Sequence, residues 1–401
     1  MSASLQELLL PQIVVGVISQ LKRGRGAIGS WLGFHPTKYD EGTTTLSGPN
    51  TVPSPGGAGP RTLTYRIFNE TRVPMKARAP GAPAATRAAN PLAQNTVDIA
   101  RFYQKIVLNY ELLGNMAAMI GPNSQIDQGG QSYIAEQQKY LVTQGHNIVE
   151  MIAAGMMRDS LYFINSGDDW LPSFTAASAG QAGFQVNFRI PSGNKSQLNM
   201  LGAGDIIGTT WANTSANIIT DILEIQAAYA QLSRYAMTDI WINSTMWNNI
   251  ISNTQVRNVA GSANTPFAQF DMEMAPNMSG PPTFTARIRG VPYITWHFDD
   301  DAMALGGDTD PIYTQGTATL SKKVPDNMAI FTTAPSGDWA KFIYGGEYVV
   351  EQVGQAATPR MGWYMWPRYA IEPSCIELYA LLNGMAALYV PAVVAPGTVV
   401  F

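Results

Sequence analysis

Residues 131–164 read QSYIAEQQKYLVTQGHNIVEMIAAGMMRDSLYFI. Ile134, Leu141, Ile148, Ile152 and Met156 recur at spacings of 4 and 7, with Glu136, Lys139 and Glu150 between them. That is the apolar stripe of one long amphipathic helix. At 1.5 Å per residue, it would run on the order of 45–50 Å. Gly145 and Gly155 lower the helix propensity, so a bend is expected inside it.

Upstream of this helix the pattern changes to strands. Thr62 to Phe68 alternates, with Leu63, Tyr65 and Ile67 on one face and Thr64 and Arg66 on the other. Val97 to Tyr110 is a second β-rich run. The residues between carry Pro74, Pro80, Pro83 and Pro91. A structureless loop of about 28 residues is rare in a compact domain, so an extended hairpin with a projecting tip is expected. Such a hairpin is not stable alone and needs a surface to lie on. Residues 1–48 read as an arm carrying the basic cluster Lys22, Arg23 and Arg25, and residues 49–60 as a turn-rich linker.

Downstream, Phe184 to Ile190 alternates as a strand. Ile218, Ile222, Ile225, Tyr229, Leu232 and Ala236 then mark a helix with Ser215 or Thr214 as its expected N-cap. Asp239 to Asn243 reads as a strand, followed by a short helix capped by Ser244 or Thr245. This order marks a mixed α/β domain. Thr283–Arg289, Val291–Phe298, Met328–Thr333, Ala340–Gln352 and Met361–Ile371 have strand character. Leu378 to Phe401 reads as buried structure.

Length and composition set the bounds. The 401 residues allow one large domain or two or three smaller ones. Apolar residues make up 46%, which suffices for a sizeable core and argues against disorder. Charged residues are 13%, about half the ~25% of an average soluble protein. A stand-alone, highly soluble enzyme would carry more surface charge, and so little suits burial against partners. The net charge of −4 hides an asymmetry. Residues 1–110 hold 12 Lys/Arg against 5 Asp/Glu, and residues 111–401 hold 13 against 24. A basic amino-terminal region on an acidic body suits an acidic partner, either nucleic acid or another copy.

No catalytic or metal motif stands out. The single cysteine, Cys375, excludes an intrachain disulfide and a Cys-based zinc site. His35, His146 and His297 are far apart in sequence. Gly24-Arg-Gly-Ala-Ile-Gly29 matches G-x-G-x-x-G, but a poor helix start follows, so it reads as a flexible basic arm. Asp299, Asp300 and Asp301, with Asp308 and Asp310, read as a solvated acidic loop, as do Asp168 and Asp169. The tryptophans, including Trp170, Trp241, Trp247, Trp363 and Trp366, read as core and interface packing. The apolar run Leu8 to Ile18 is too short to span a bilayer and is interrupted by Pro11. No signal peptide or membrane segment is expected.

The order of elements resembles the major capsid proteins of tailed bacteriophages. Gly290-Val-Pro-Tyr293, Asp239-Ile-Trp-Ile-Asn243 leading into Met246-Trp-Asn-Asn249, and Ala340-Lys-Phe-Ile-Tyr-Gly-Gly-Glu-Tyr348 carry the resemblance, which covers nearly the whole chain from about residue 55. It implies an α+β, HK97-like capsid fold. The implied parts are an N-terminal arm (1–54), an E-loop hairpin (55–110), a P-domain with a spine helix (111–171), a mixed α/β A-domain (172–335), and return strands of the P-domain with a C-terminal segment (336–401).

The resemblance also implies a role. Hexamers and pentamers would form an icosahedral head shell around double-stranded DNA held without sequence specificity, in a virion assembled in the host cytoplasm. No enzyme activity or cofactor is implied. Lys22, Arg23 and Arg25 are the candidate inner-surface or inter-subunit arm. Arg66, Arg72, Lys76, Arg78 and Arg87 are the candidate E-loop contacts. Some family members cross-link a lysine of this loop to a neighbour's asparagine; Lys76 lies in the loop, but no clear site for that chemistry is present. The amino-terminal segment is short for a built-in scaffolding domain. A separate scaffolding protein is therefore implied, or removal of part of 1–48, along with a portal and possibly a decoration protein. An encapsulin-like compartment and a soluble enzyme are the competing readings. Deleting residues 1–48 is expected at this stage to impair shell closure without unfolding the body.

Overall fold

The computed structural model describes residues 27–35, 51–58, 62–67, 93–109, 128–166, 169–200, 204–260, 273–274, 284–286, 294–305, 319–350, 357–361, 363–370 and 375–401. The long helix spans Gln128–Arg158. It ends earlier than its apolar pattern. Asp159 takes a left-handed φ of 52°, which Asp tolerates, and the Ser160 N–H closes on the Gly155 carbonyl at 3.0 Å. Leu161–Ser166 is then a strand. Leu161 and Phe163 are buried there, so the apolar spacing continues although the backbone has changed.

The two helix glycines serve close packing. A Cβ at Gly145 would lie 2.5 Å from the Trp363 ring, and one at Gly155 would lie 2.8 Å from Leu161 Cβ. Both are places where another element approaches the helix backbone.

One face of the helix meets a six-stranded sheet. Its central strand is Cys375–Leu388, paired antiparallel with Trp363–Ala370, Ala100–Asn109 and Ala340–Val349. Residues 378–388 of this strand are all buried, so both of its faces are covered. A strand covered on both faces loses the alternation that marks a half-exposed one. That is why Leu378 onward reads as buried without reading as a strand.

The second β-rich run divides in two. Ala93–Asp98 pairs with Thr62–Ile67 as the antiparallel hairpin base, while Ala100–Asn109 joins the large sheet. Leu63 and Tyr65 are buried and Thr62, Thr64 and Arg66 exposed, as the alternation requires. The residues between 67 and 93, which would form the projecting tip, lie outside the described residues.

Two readings of the amino-terminal region are corrected. Residues 51–58, expected to be linker, form a strand, Thr51–Ala58, pairing in parallel with Ala340–Val349. Its two prolines are tolerated because it is the terminal strand of the sheet order. Ala27–Leu32 is a short helix, not flexible arm. Ile28, Leu32 and Phe34 are fully buried against the long helix and the large sheet. Trp31 packs edge-on against Trp241 at 5.4 Å and lies beside Trp339 at 6.4 Å. Gly33 ends the helix with a φ of 71°, and the Phe34 N–H returns to the Gly29 carbonyl at 2.9 Å.

The other lobe is a mixed six-stranded sheet. Its order is Ala395–Thr398, Met328–Thr332, Asp239–Ile242, Thr295–Phe298, Phe284–Ala286 and Glu273–Met274. Thr295–Phe298 runs parallel to Asp239–Ile242, and the other neighbours are antiparallel. Asp239–Ile242 is buried throughout. Ile240 and Ile242 face one core with the helix Ile218–Ser233, while Trp241 joins the core of the long helix. The strand near residue 184 is shorter than expected, Gly183–Val186. Asn187 Oδ1 accepts the Arg189 N–H at 2.8 Å, and Arg189 takes a φ of 62°, which ends the extended run.

The helix caps also differ from expectation. Asn217, not Ser215 or Thr214, holds the cap position of Ile218–Ser233; Ser215 instead donates to Asn213 in the preceding turn. The next helix, Ser244–Ser252, is capped by Asn243, one residue before the expected Ser244. Asn243 Oδ1 accepts the Met246 N–H at 2.9 Å, and its amide donates to the Val324 carbonyl and Asp326. The N243A variant should lose about 2 kcal/mol, the upper end for a lost cap because the buried amide bonds go too. Urea denaturation against wild type checks this value.

Candidate inter-subunit surface

Antiparallel pairing places directly opposed residues on the same face of a sheet. On the face of the large sheet turned from the long helix, the register aligns Tyr103 with Leu381 and Lys105 with Tyr379. It also aligns Tyr364 with Leu381, Trp366 with Tyr379, and Arg368 with Glu377. These rings form a strip. Trp366 and Tyr379 stack at 5.2 Å and 12°, Tyr103 and Tyr379 at 5.5 Å and 20°, and Tyr364 and Trp366 at 5.5 Å and 21°.

Charge flanks the strip. Arg101 lies over Tyr103 and pairs with Glu347 at 2.8 Å. Lys105 pairs with Glu377 at 2.8 Å, and Arg360 lies 4.5 Å from the Tyr364 ring centre. Tyr103 is 48% exposed, Val107 45% and Tyr348 61%. An aromatic strip bordered by ion pairs has the composition of a contact surface: an apolar centre and a polar rim. The sequence reading assigns Trp366 to packing but does not single out Tyr103, Tyr364 or Tyr379. Only the strand register brings these residues together.

Of the residues expected to make E-loop contacts, Arg66 is exposed on the hairpin base. Arg72, Lys76, Arg78 and Arg87 lie outside the described residues, as do Lys22, Arg23 and Arg25. Asp168, Asp308 and Asp310 lie outside them too. Trp170 is half exposed and packs on Phe184, whereas Trp241, Trp363 and Trp366 are buried.

A second cluster lies inside the protein, where the acidic triplet proves not to be a solvated loop. Asp299 is fully buried, and Lys323 is 1% exposed. The Lys323 ammonium is 2.6 Å from Asp301 and 3.8 Å from both Asp299 and Glu150. Burial pushes the Asp299 carboxyl up to about 7, with Lys323 opposing it. Asp300 alone is exposed, and it accepts the Ser244 N–H at 2.8 Å.

Glu150 on the long helix receives the Gly29 N–H at 2.9 Å, the Ser30 N–H at 3.1 Å and His35 Nε2 at 2.7 Å. Burial works against its charge, but His35, Lys323 and the Gly29 amide hold its carboxyl below the usual range. A Cβ on Gly29 would come within 2.6 Å of Glu150 Oε1, so glycine is required for this approach. Gly29, the last glycine of the motif, thus serves an internal carboxylate. Distant parts of the chain converge on one buried charge cluster: 29–35, 146–150, 299–301 and Lys323.

Among the described residues, no group of three or more His, Cys, Asp or Glu could hold a metal ion. No helix among them is long and apolar enough to cross a membrane.

The architecture as a whole is mixed α/β, and its fold is similar to that of a solved structure. That structure is a crystal structure described as the candidate capsid protein of a prophage from E. coli CFT073. It is 11% identical to this chain, with a TM-score of 0.54, and the match covers 100% of this chain and 99% of that one. A phage-related protein from Bordetella bronchiseptica RB50 is 8% identical with a TM-score of 0.47, covering 97% and 96%. The SrpI encapsulin of Synechococcus elongatus PCC 7942 is 8% identical with a TM-score of 0.39, covering 88% and 85%. No protein-family model matches the sequence, and no curated protein matches it significantly.

Proposed function

We propose that this chain is the shell subunit of a tailed-phage head. Hexamers and pentamers of it close into an icosahedral shell around non-specifically held double-stranded DNA. The observation that carries the reading is the end-to-end fold match to the candidate prophage capsid protein, over 100% and 99% of the two chains. The low charge and the exposed Tyr103, Val107 and Tyr348 agree with a subunit that covers much of its surface with neighbours.

The mechanism is assembly rather than catalysis. Head-to-tail contacts are heterologous, and rotation about a local axis closes them into rings. The hairpin that begins at Thr62–Ile67 and ends at Ala93–Asp98 acts as the E-loop, with Arg66, Arg72, Lys76, Arg78 and Arg87 as its charged contacts. Lys22, Arg23 and Arg25 meet nucleic acid or a neighbour's acidic surface. A separate scaffolding protein and a portal serve the assembly, which takes place in the host cytoplasm.

Negative-stain electron microscopy of the purified chain, alone and co-expressed with a scaffolding protein from its own gene neighbourhood, tests this. Closed shells, tubes, or rings of five and six are expected, with nuclease-protected DNA in heads filled in the host. Shells filled with protein and no DNA would point instead to a cargo compartment. A monomer under both conditions, across salt and pH, would overturn the shell reading.

A further inference from the structure

The long helix ends on a cation that no described carboxylate neutralises. Arg158 is its last residue, and the guanidinium lies over the Phe174 ring at 4.5 Å. Nη1 donates to the Lys322 carbonyl at 2.8 Å. Nε is buried without a hydrogen-bond partner. Nη2 has no partner among the described residues either, but it reaches solvent, since Arg158 is only partly buried. The nearest carboxylates in sequence are engaged elsewhere. Asp159 pairs with Lys195, and Asp326 pairs with Lys322 at 2.6 Å. The helix C-terminus supplies only a partial negative charge. Burial, with no carboxylate opposing it, lowers the Arg158 pKa to about 10, so the group stays charged at neutral pH.

An exposed pair of rings lies on the neighbouring three-stranded sheet, formed by Leu161–Ser166, Asp169–Ser173 and Gly183–Val186. The register aligns Phe163 with Phe184 and Asn165 with Trp170, so both rings share one face. Trp170 and Phe184 are each nearly half exposed, with ring centres 5.3 Å apart. Phe174, under the guanidinium, is four residues from Trp170, at most about 13 Å of extended chain. An incompletely compensated arginine near exposed aromatic rings has the composition of an interface anchor.

We propose that Arg158 receives a carboxylate from a second copy of this chain, with Trp170 and Phe184 as the apolar flank of that contact. Charge complementarity favours this occupant. Residues 111–401 hold 24 Asp/Glu against 13 Lys/Arg, so a second copy brings carboxylates that the cations of this stretch do not all pair. A guanidinium already held by a ring and a carbonyl loses little further freedom on binding, and its planar fork matches a carboxylate. A nucleic-acid backbone would instead lay many phosphates along an acidic body, which opposes it beyond the single cation. The surface is separate from the strip of Tyr103 and Tyr364, which belongs to another sheet. The proposal rests on the shell reading in naming a second copy as the partner.

Sedimentation velocity of the full chain over a concentration series, alone and with its scaffolding protein, tests this. Urea denaturation of the unassembled chain runs beside it. R158Q should raise the concentration needed for association at least tenfold and leave the urea midpoint unchanged. R158K, which keeps the charge without the fork, should fall between wild type and R158Q, and it keeps the test open if R158Q does not fold. W170A should weaken association with the midpoint again unchanged. Salt should weaken wild-type association more steeply than that of R158Q. Equal association of wild type and the Arg158 variants would overturn the proposal and leave the shell reading standing. A fall in midpoint that accounts for the whole loss of association would make Arg158 a structural residue and overturn it too. Loss of nuclease-protected DNA in R158Q with association intact would overturn it in favour of a phosphate. A wild type that stays monomeric in both series would overturn this proposal and the shell reading together.

Discussion

Deleting residues 1–48 is expected to lower the stability of the remaining chain, as well as to impair association. This replaces the expectation of an intact body. Ile28, Leu32 and Phe34 are fully buried, and each such side chain contributes about 1.5–3 kcal/mol when taken from water. The deletion also uncovers their partners, among them Trp241, Trp339 and Phe342. It removes three of the groups that compensate Glu150, namely the Gly29 and Ser30 amides and His35. A buried charge left without partners costs about 3–5 kcal/mol. The ordering entropy of nine residues is spared and offsets much of the lost packing, so the uncompensated Glu150 charge sets the direction. Urea denaturation of the truncated chain measures the loss. A truncated chain with an unchanged midpoint would show that the segment is an accessory, despite its burial. F34A should lose about 3–5 kcal/mol by itself, which locates the effect in packing.

Lys323→Met should cost about 3–5 kcal/mol at pH 8, because it leaves Glu150 and Asp299 buried without their shared cation. Met retains much of the side-chain volume, so the loss reports charge rather than a cavity. The deficit should shrink on acidification. Without Lys323, which opposes its shift, the Asp299 carboxyl has a folded-state pKa raised further above its unfolded value. Groups shifted that way contribute stability below the unfolded pKa and lose it as pH rises through the folded one. Asp299, already at about 7 with Lys323 present, will be protonated in the variant at neutral pH. Denaturation of wild type and K323M at pH 8, 7 and 5.5 should show the gap narrowing stepwise. A constant gap would mean that Lys323 acts through its methylene packing alone.

The sequence itself carries the long helix, because residues 134–156 repeat one apolar spacing with charge between. The hairpin base at Leu63 and Tyr65 and the strand–helix step at 239–252 were legible for the same reason: each has one buried and one exposed face, or a cap, within a few residues. Composition showed a chain poor in charge, suited to burial against others.

Tertiary structure alone decided the rest. The Cys375–Leu388 strand is flanked by strands and covered on its faces, so no periodicity marks it. Tyr103 joins the strip of Tyr364, Trp366 and Tyr379 only through pairing between positions more than 250 residues apart. The acidic triplet and Gly29 looked solvated because neither carries its partner nearby. Lys323 and Glu150 reach them through the fold, and an isolated charge in a sequence does not say whether water or a distant counter-charge will compensate it. Local spacing fixes what a segment can expose or bury, whereas the pairing of buried charges is a property of where the chain returns.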